Sequence, residues 1–284
     1  MTSWVLLKWS GPESTPSDNW VKDVAVRKKL GYPATHSKNP VQRNLKYPMP
    51  ASDLDLGFTV DDWQPPPLPT KESMEGGYCR LTLLDPTAHA AGLFDAFAKD
   101  ADGIDWSYLP YGPFDSLPAL RAWLEKVAGL SDPLFYTVID QQGKAIGVAS
   151  YLRIMPASGS IEVGHIHFSP ELQKSPAATE AMFMMMRYAF GLGYRRYEWK
   201  CDSLNQRSRR AALRLGLSFE GIFRQATVYK GRNRDTAWYA TIDREWPQLE
   251  AMFEAWLDPE NFDDAGLQRK SLSEMTASIL VSTH

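Results

Sequence analysis

The order of elements across residues 161–219 constrains this chain most. A strand, a capped helix, a second strand and a second capped helix follow one another as IEVGHIHF, SPELQKSPAATEAMFMMMRYAFGLG, YRRYEWKC and DSLNQRSRRAALRLGLSF. Ser175 offers a capping hydroxyl, and Pro176 stands at the first helical position, where no amide hydrogen is needed. Ala178, Met182, Met185 and Ala189 recur at helical spacing, which predicts a buried face and an anchored N-terminus. Alternating strands and helices set a helix N-terminus beside each strand end, where α/β folds receive ligands. The small residues Ala177, Ala178 and Thr179 let an anion approach the amides at that end.

The flanking sequence reads as more strands. CRLTLL is a strand that ends at Asp85-Pro86, a helix start over 87–98. FYTVID and KAIGVASYLRIM form a hairpin across Gln141-Gln142-Gly143, and the turn at 156–160 leads into IEVGHIHF, giving an antiparallel meander. FEGIFRQATVYK and DTAWYATID pair across Gly231-Arg232-Asn233-Arg234. A helix over 247–257 and a polar tail, DPENFDDAGLQRKSL, close the chain. Three regions follow: a Pro-rich extended arm over 1–77, a domain over 78–246, and a helix with tail over 247–284. The arm holds Pro65, Pro66, Pro67 and Pro69 after Trp63, and its scattered Trp4, Trp9, Trp20, Tyr32, Tyr47 and Phe58 predict that it packs on another surface.

Charge narrows the function. The net charge of −3 argues against a general nucleic-acid binder. Residues 187–234 nevertheless hold 12 basic and three acidic side chains, a local positive field suited to a compact polyanion. A solvated basic face is the alternative. No apolar run long enough to span a membrane occurs, and no secretory leader is visible, so a cytoplasmic protein is expected. Cys79 and Cys201 are too few for a disulfide framework, no metal-ligand spacing is present, and both read as buried thiols.

The segment Gln173-Lys174-Ser175-Pro176-Ala177-Ala178 resembles the coenzyme A motif of the GNAT acyltransferases, Gln/Arg-x-x-Gly-x-Gly/Ala. Asn205, Ser208 and Leu215-Gly216-Leu217 resemble the next element of that family, and GRNRDTAWYATIDREW directs the resemblance to the ribosomal-protein-acetyltransferase-like (RimJ/RimL) branch. The resemblance covers 78–246. It implies a mixed α/β GNAT fold, with a mostly antiparallel central sheet flanked by helices, and acetyl-coenzyme A as cosubstrate without a metal. Pro176 departs from the motif, because it removes one amide hydrogen from the diphosphate loop; Ser175, Lys174 or Thr179 is left to supply that contact.

In such enzymes an amine attacks the thioester directly. About one lysine-like amine in 2,500 is neutral at pH 7, against about one α-amine in seven, so an alkyl amine needs a base far more. Strand alternation places Glu162 with Gly164 and Ile166, and His165 with His167 on the other face, so that only one set faces the cleft. Glu162, at the family's EIG-like position, ranks before His165; a paired strand carboxylate and a core histidine are the plain structural readings. The resemblance assigns polarisation of the thioester carbonyl to backbone near Phe168, the pantetheine arm to Asn205 and the leaving thiolate to Ser208. An ordinary N-cap at Asn205 and an ordinary helix serine compete with those roles. Arg207, Arg210 and Arg214 share a helix face that could meet the adenosine 3′-phosphate or solvent, and an acyl-enzyme at Cys201 ranks last for want of a His/Asp partner.

The loop DGIDWSYLPYGPFDSLPAL reads as an aromatic lid or as plain packing, with Trp106, Tyr108 and Tyr111 as candidate substrate contacts. The expected acceptor is a small-molecule amine or a protein N-terminus; no nucleic acid or membrane partner is expected, and a homodimer is open. A non-catalytic acyl-coenzyme-A-binding or regulatory protein is the alternative, and an interaction protein that works through its arm is a second.

Overall fold

Capping chemistry sets where the helices begin. In the computed structural model, which describes residues 57–70 and 72–284, Asp85, Ser116, Ser175 and Asn205 each accept a backbone N–H from the first turn of the helix that follows. The strands are β1 (Ser73–Glu75), β2 (Cys79–Leu83), β3 (Leu134–Asp140), β4 (Ala145–Met155), β5 (Ser160–Phe168), β6 (Arg196–Asp202), β7 (Ser218–Tyr229) and β8 (Arg232–Ile242). The helices are α1 (Pro86–Phe97), α2 (Leu117–Val127), α3 (Pro176–Gly191), α4 (Gln206–Arg214), α5 (Trp246–Leu257) and α6 (Leu272–Thr276).

The strands form one eight-stranded sheet in the order β1-β2-β3-β4-β5-β6-β8-β7. Every neighbouring pair is antiparallel except β5 and β6, which α3 connects. The mixed, mostly antiparallel sheet expected from the sequence is therefore present. One face carries α1 and α2 over Leu93, Phe97, Leu120, Leu124, Phe135 and Val148. The other carries a larger core with α3 and α5, built on Tyr151, Ile161, Val163, Met182, Met185, Trp199, Tyr239, Phe253 and Trp256. Helix α3 is buried over every residue from Thr179 to Met186, more than the single face its periodicity predicts, because α5 covers the side the sheet does not.

Residues group into two units, Met1–Asp61 and Asp62–His284. The first is described only at 57–61, so the aromatic residues of the arm before Gly57 lie outside the described residues. Within the second, the sheet starts at β1, ahead of Tyr78. Glu180 of α3 explains the turn between β1 and β2: its carboxylate accepts the amides of Gly77, Tyr78 and Cys79 at 2.7, 2.7 and 2.8 Å. A Cβ on Gly76 would lie 2.4 Å from that carboxylate, so only glycine fits.

Two local expectations change. The last hairpin turns at Lys230-Gly231, both left-handed at φ 47° and 71°, while Arg232, Asn233 and Arg234 belong to β8. A two-residue turn of that hand matches the right-handed twist of the flanking strands. The stretch read as a polar tail is part of the core: Leu272 and Ile279 are buried, and the Asn261 amide donates to Trp256 and Lys270 carbonyls. Its few apolar residues are spaced too widely to show a period.

Candidate active site

The parallel ladder between β5 and β6 stops early. Pairing runs from Ser160↔Arg196 to Val163↔Trp199, although β5 continues to Phe168 and β6 to Asp202. The two strands therefore part, and the free edge of β5 faces the gap. Beyond it stand the turn at residues 173–179 and the start of α4.

A β-bulge shapes the same part of β5. Val148 pairs with His167 and Ser150 with Gly164, so Ala149 faces both His165 and Ile166, and His165 takes φ 50°. The extra residue resets the alternation. Ile161 and Val163 enter the α3–α5 core, which turns Glu162 to the opposite face. His165 lies against Tyr111 and Phe135, and His167 against Phe97 and Trp106, on that same face. The expectation that Glu162 and the histidines occupy opposite faces is thus corrected.

Glu162 is buried at 3% exposure, with Lys200 Nζ at 2.8 Å and Arg153 Nη1 at 3.2 Å. Burial pushes its carboxyl above the usual range, and the two cations only partly oppose this. Lys200 also meets Glu198 at 2.7 Å and sits 3.7 Å over the Trp238 ring; Glu198 meets Arg196, which meets Glu220. Opposite charges thus alternate across the sheet from β4 to β7. The Tyr111 hydroxyl is 2.9 Å from His165 Nδ1, and burial holds that imidazole neutral, down at about 4. The His167 ring stacks on Trp106 at 3.6 Å, its Nε2 has no hydrogen-bond partner, and burial takes it down to about 3.

At the start of α3 the Ser175 hydroxyl donates to the Leu172 carbonyl at 2.6 Å and accepts from Ala178 N–H at 3.2 Å. Pro176 has no amide hydrogen, and Ala177, at the second helical position, has an N–H with no intrahelical acceptor. Lys174 is left-handed at φ 59° and exposed. Gln173 Nε2 donates to the Phe168 carbonyl at 2.9 Å, which ties this turn to the end of β5. Thr179 is drawn away from the turn, since its hydroxyl accepts from Arg214 at 3.0 Å.

Across the gap, Asn205 does cap α4: its Oδ1 accepts Ser208 N–H at 3.1 Å. Its amide hydrogens remain for another partner. Ser208 Oγ accepts from Trp199 Nε1 at 2.9 Å, on the α3 side of the sheet and away from Glu162 and His165. Arg207 reaches Asp105 and Arg214 lies over Trp256, whereas Arg210 is exposed. Cys79 and Cys201 are buried and free, and burial pushes the Cys201 thiol up, against nucleophilic use.

The aromatic loop spans the gap. Its short turn Ile104–Trp106 is held by Asp100, which accepts the amides of Ile104 and Asp105 at 3.1 and 2.9 Å. Gly112 is left-handed at φ 63°, and a Cβ there would lie 2.3 Å from the Trp106 ring. Tyr108 donates to the Leu204 carbonyl at 3.3 Å, and Lys230 donates to the Trp106 carbonyl at 2.9 Å. Sequence reasoning singled out Trp106, Tyr108 and Tyr111 but missed Asp105, Arg153, Lys200 and Lys230. Asp105, Lys200 and Lys230 meet partners on elements distant in sequence, and Arg153 meets Glu162 across the β4–β5 pair; the basic field over 187–234 included Lys200 and Lys230 without assigning their partners. Among the described residues no His/Cys/Asp/Glu group could hold a metal, and no helix is long and apolar enough to cross a membrane.

Comparison with known proteins places this geometry. Residues 80–218 match the acetyltransferase (GNAT) domain. A GCN5-related N-acetyltransferase from Brucella melitensis is 46% identical, over 77% of this chain and 100% of its own, with a TM-score of 0.75. A GNAT-family protein from Chromobacterium violaceum is 41% identical, over 67% and 96% of the two chains, with a TM-score of 0.63. RimL, a ribosomal L7/L12 α-N-protein acetyltransferase, is 22% identical over 59% and 91%, with a TM-score of 0.51. That identity carries the fold and leaves the branch unassigned. No curated protein matches the chain.

Proposed function

Because this chain belongs to the GNAT acetyltransferase family, whose members move acetyl groups from acetyl-coenzyme A, we propose that it acetylates a primary amine by direct attack on the thioester. The observation that carries this reading is the gap between β5 and β6, with the turn at 173–179 at its end, His165 along its wall and Glu162 on the paired rungs just before it opens. The amide of Ala177, the Ser175 hydroxyl and Lys174 would hold the diphosphate. The Asn205 amide and the free edge of β5 near Phe168 would hold pantetheine and the thioester carbonyl. Gly164 has no side chain, and a Cβ there would stand 3.7 Å from Glu162 Oε1 and 2.9 Å from Leu152 Cδ2, so an amine approaching the carboxylate over this strand would meet the movable Leu152 side chain.

The nitrogen attacks the carbonyl carbon, and its proton grows more acidic as the C–N bond forms. Glu162, with its raised pKa, takes that proton. His165, neutral at pH 7, offers a ring nitrogen without a repelling charge. The C–S bond then breaks and the sulfur leaves as thiolate; the Ser208 hydroxyl, which accepts from Trp199 and also meets Cys201, would have to turn from Cys201 to give that sulfur a hydrogen bond. Trp106, Tyr108 and Tyr111 close over the acceptor, which favours a small amine over a protein N-terminus; RimL, which shares the fold, acts on the latter.

Thiol release from acetyl-coenzyme A in the presence of alkyl amines, amino acids and short peptides tests the reading. Activity is expected with at least one small amine, falling as pH drops through the Glu162 pKa, and Glu162→Gln should remove that limb of the profile. A protein that binds acetyl-coenzyme A but releases no thiol with any of these amines is the non-catalytic alternative.

A further inference from the structure

Asp105 lies in the aromatic loop, yet its carboxylate is engaged with residues of the proposed coenzyme site. Its Oδ2 is 2.5 Å from Gln173 Nε2 and its Oδ1 is 3.0 Å from Arg207 Nη1. Gln173 precedes α3, and Arg207 stands in the first turn of α4. An anion is thus held between the beginnings of two helices, where dipoles and amide donors favour negative charge. The Asp105 backbone is fixed independently, since its N–H donates to Asp100 at 2.9 Å, so the turn itself aims the carboxylate.

The donor count makes the contact exclusive. A glutamine amide has two hydrogens. One from Gln173 goes to the Phe168 carbonyl at 2.9 Å and the other to Asp105. The Phe168 carbonyl belongs to β5 and stays in place, so a phosphate oxygen reaches Gln173 only by displacing Asp105. We propose that the Asp105 carboxylate stands in for the diphosphate of coenzyme A, so that coenzyme binding unclasps the turn around Asp105 from the start of α3. This rests on the coenzyme reading of residues 173–179. Once the clasp opens, the loop keeps the Tyr108 and Lys230 bonds, the Tyr111 bond to His165 and the packing of Trp106 on His167, so the release is local to the turn around Asp105. Asp105 is accordingly a positioning residue, acting on coenzyme affinity through the turn it belongs to.

Titration of the full chain with coenzyme A, together with amide hydrogen exchange, tests this. Asp105→Asn removes the charge and keeps the size, and it is expected to tighten coenzyme A by roughly 3- to 10-fold, the worth of about one ion pair. In the unsubstituted protein, coenzyme A should speed exchange at the loop amides of Asp105, Trp106, Ser107 and Leu109. A variant whose affinity is unchanged or weaker overturns the proposal, as does coenzyme that slows exchange at those amides. The exchange measurement decides even if the variant folds poorly. Failure of the unsubstituted protein to bind coenzyme A at all would instead remove the coenzyme reading, and this proposal with it.

Discussion

Replacing His167 with phenylalanine should flatten the acid limb of the stability curve. The ring is 3% exposed, stacked on Trp106 at 3.6 Å and edge-on to Phe97 at 4.4 Å, with Nε2 unpartnered. A proton on this imidazole would be a charge buried among aromatic rings, so burial lowers its pKa to about 3, against about 6.5 in the unfolded chain. The folded-state value lies below the unfolded one, so the unfolded state binds the proton first and stability falls as pH drops below about 6.5. Between pH 7.5 and 5.0 the loss from this one group is about 2 kcal/mol. Other groups titrate in the same window, His165 among them, and the difference between the two proteins isolates the contribution of position 167. Urea unfolding followed by circular dichroism at both pH values measures it. The variant should lose about 2 kcal/mol less than the parent on acidification. Equal losses in two proteins that are both folded at pH 7.5 would refute the argument, since the ring would then be hydrated or hydrogen-bonded in the native state.

Glu180→Gln should destabilise by about 2 to 4 kcal/mol, because three backbone amides now share a charged acceptor and a neutral oxygen would replace it; thermal unfolding reads this, and a change below about 0.5 kcal/mol would contradict it. Gly164→Ala would place a Cβ 2.9 Å from Leu152 Cδ2, a movable group, so stability should change by less than about 1 kcal/mol. The turnover rate should fall while coenzyme affinity holds, as the route to Glu162 narrows; unaltered turnover would place the amine elsewhere. Pro176→Gly restores an amide hydrogen at the first turn of α3 and should tighten coenzyme A by about 3-fold or more in a calorimetric titration, the scale of one added hydrogen bond. An unchanged constant would mean that no phosphate meets that position.

Much of the frame could be read from local patterns. Asp85, Ser175 and Asn205 marked helix starts because a cap acts on amides two or three residues away. Strand alternation failed at His165, where one inserted residue reverses every later side chain and no sequence signal marks the bulge. The arm boundary at Tyr78 missed β1, whose turn is held by Glu180, about a hundred residues further on. The C-terminal residues that finish the core were hidden by their wide spacing.

By itself, then, the sequence determined the strand and helix order, the capped turn at 173–179 with its proline, and the family these imply. Those features arise from interactions within a few residues, and short-range chemistry is written along the chain. Only the tertiary structure decided which groups stand together: Glu162 between Arg153 and Lys200, His165 against Tyr111, and Asp105 across to Gln173 and Arg207. Those contacts join residues up to 102 positions apart, where the sheet and its splay set distance and sequence spacing carries no information.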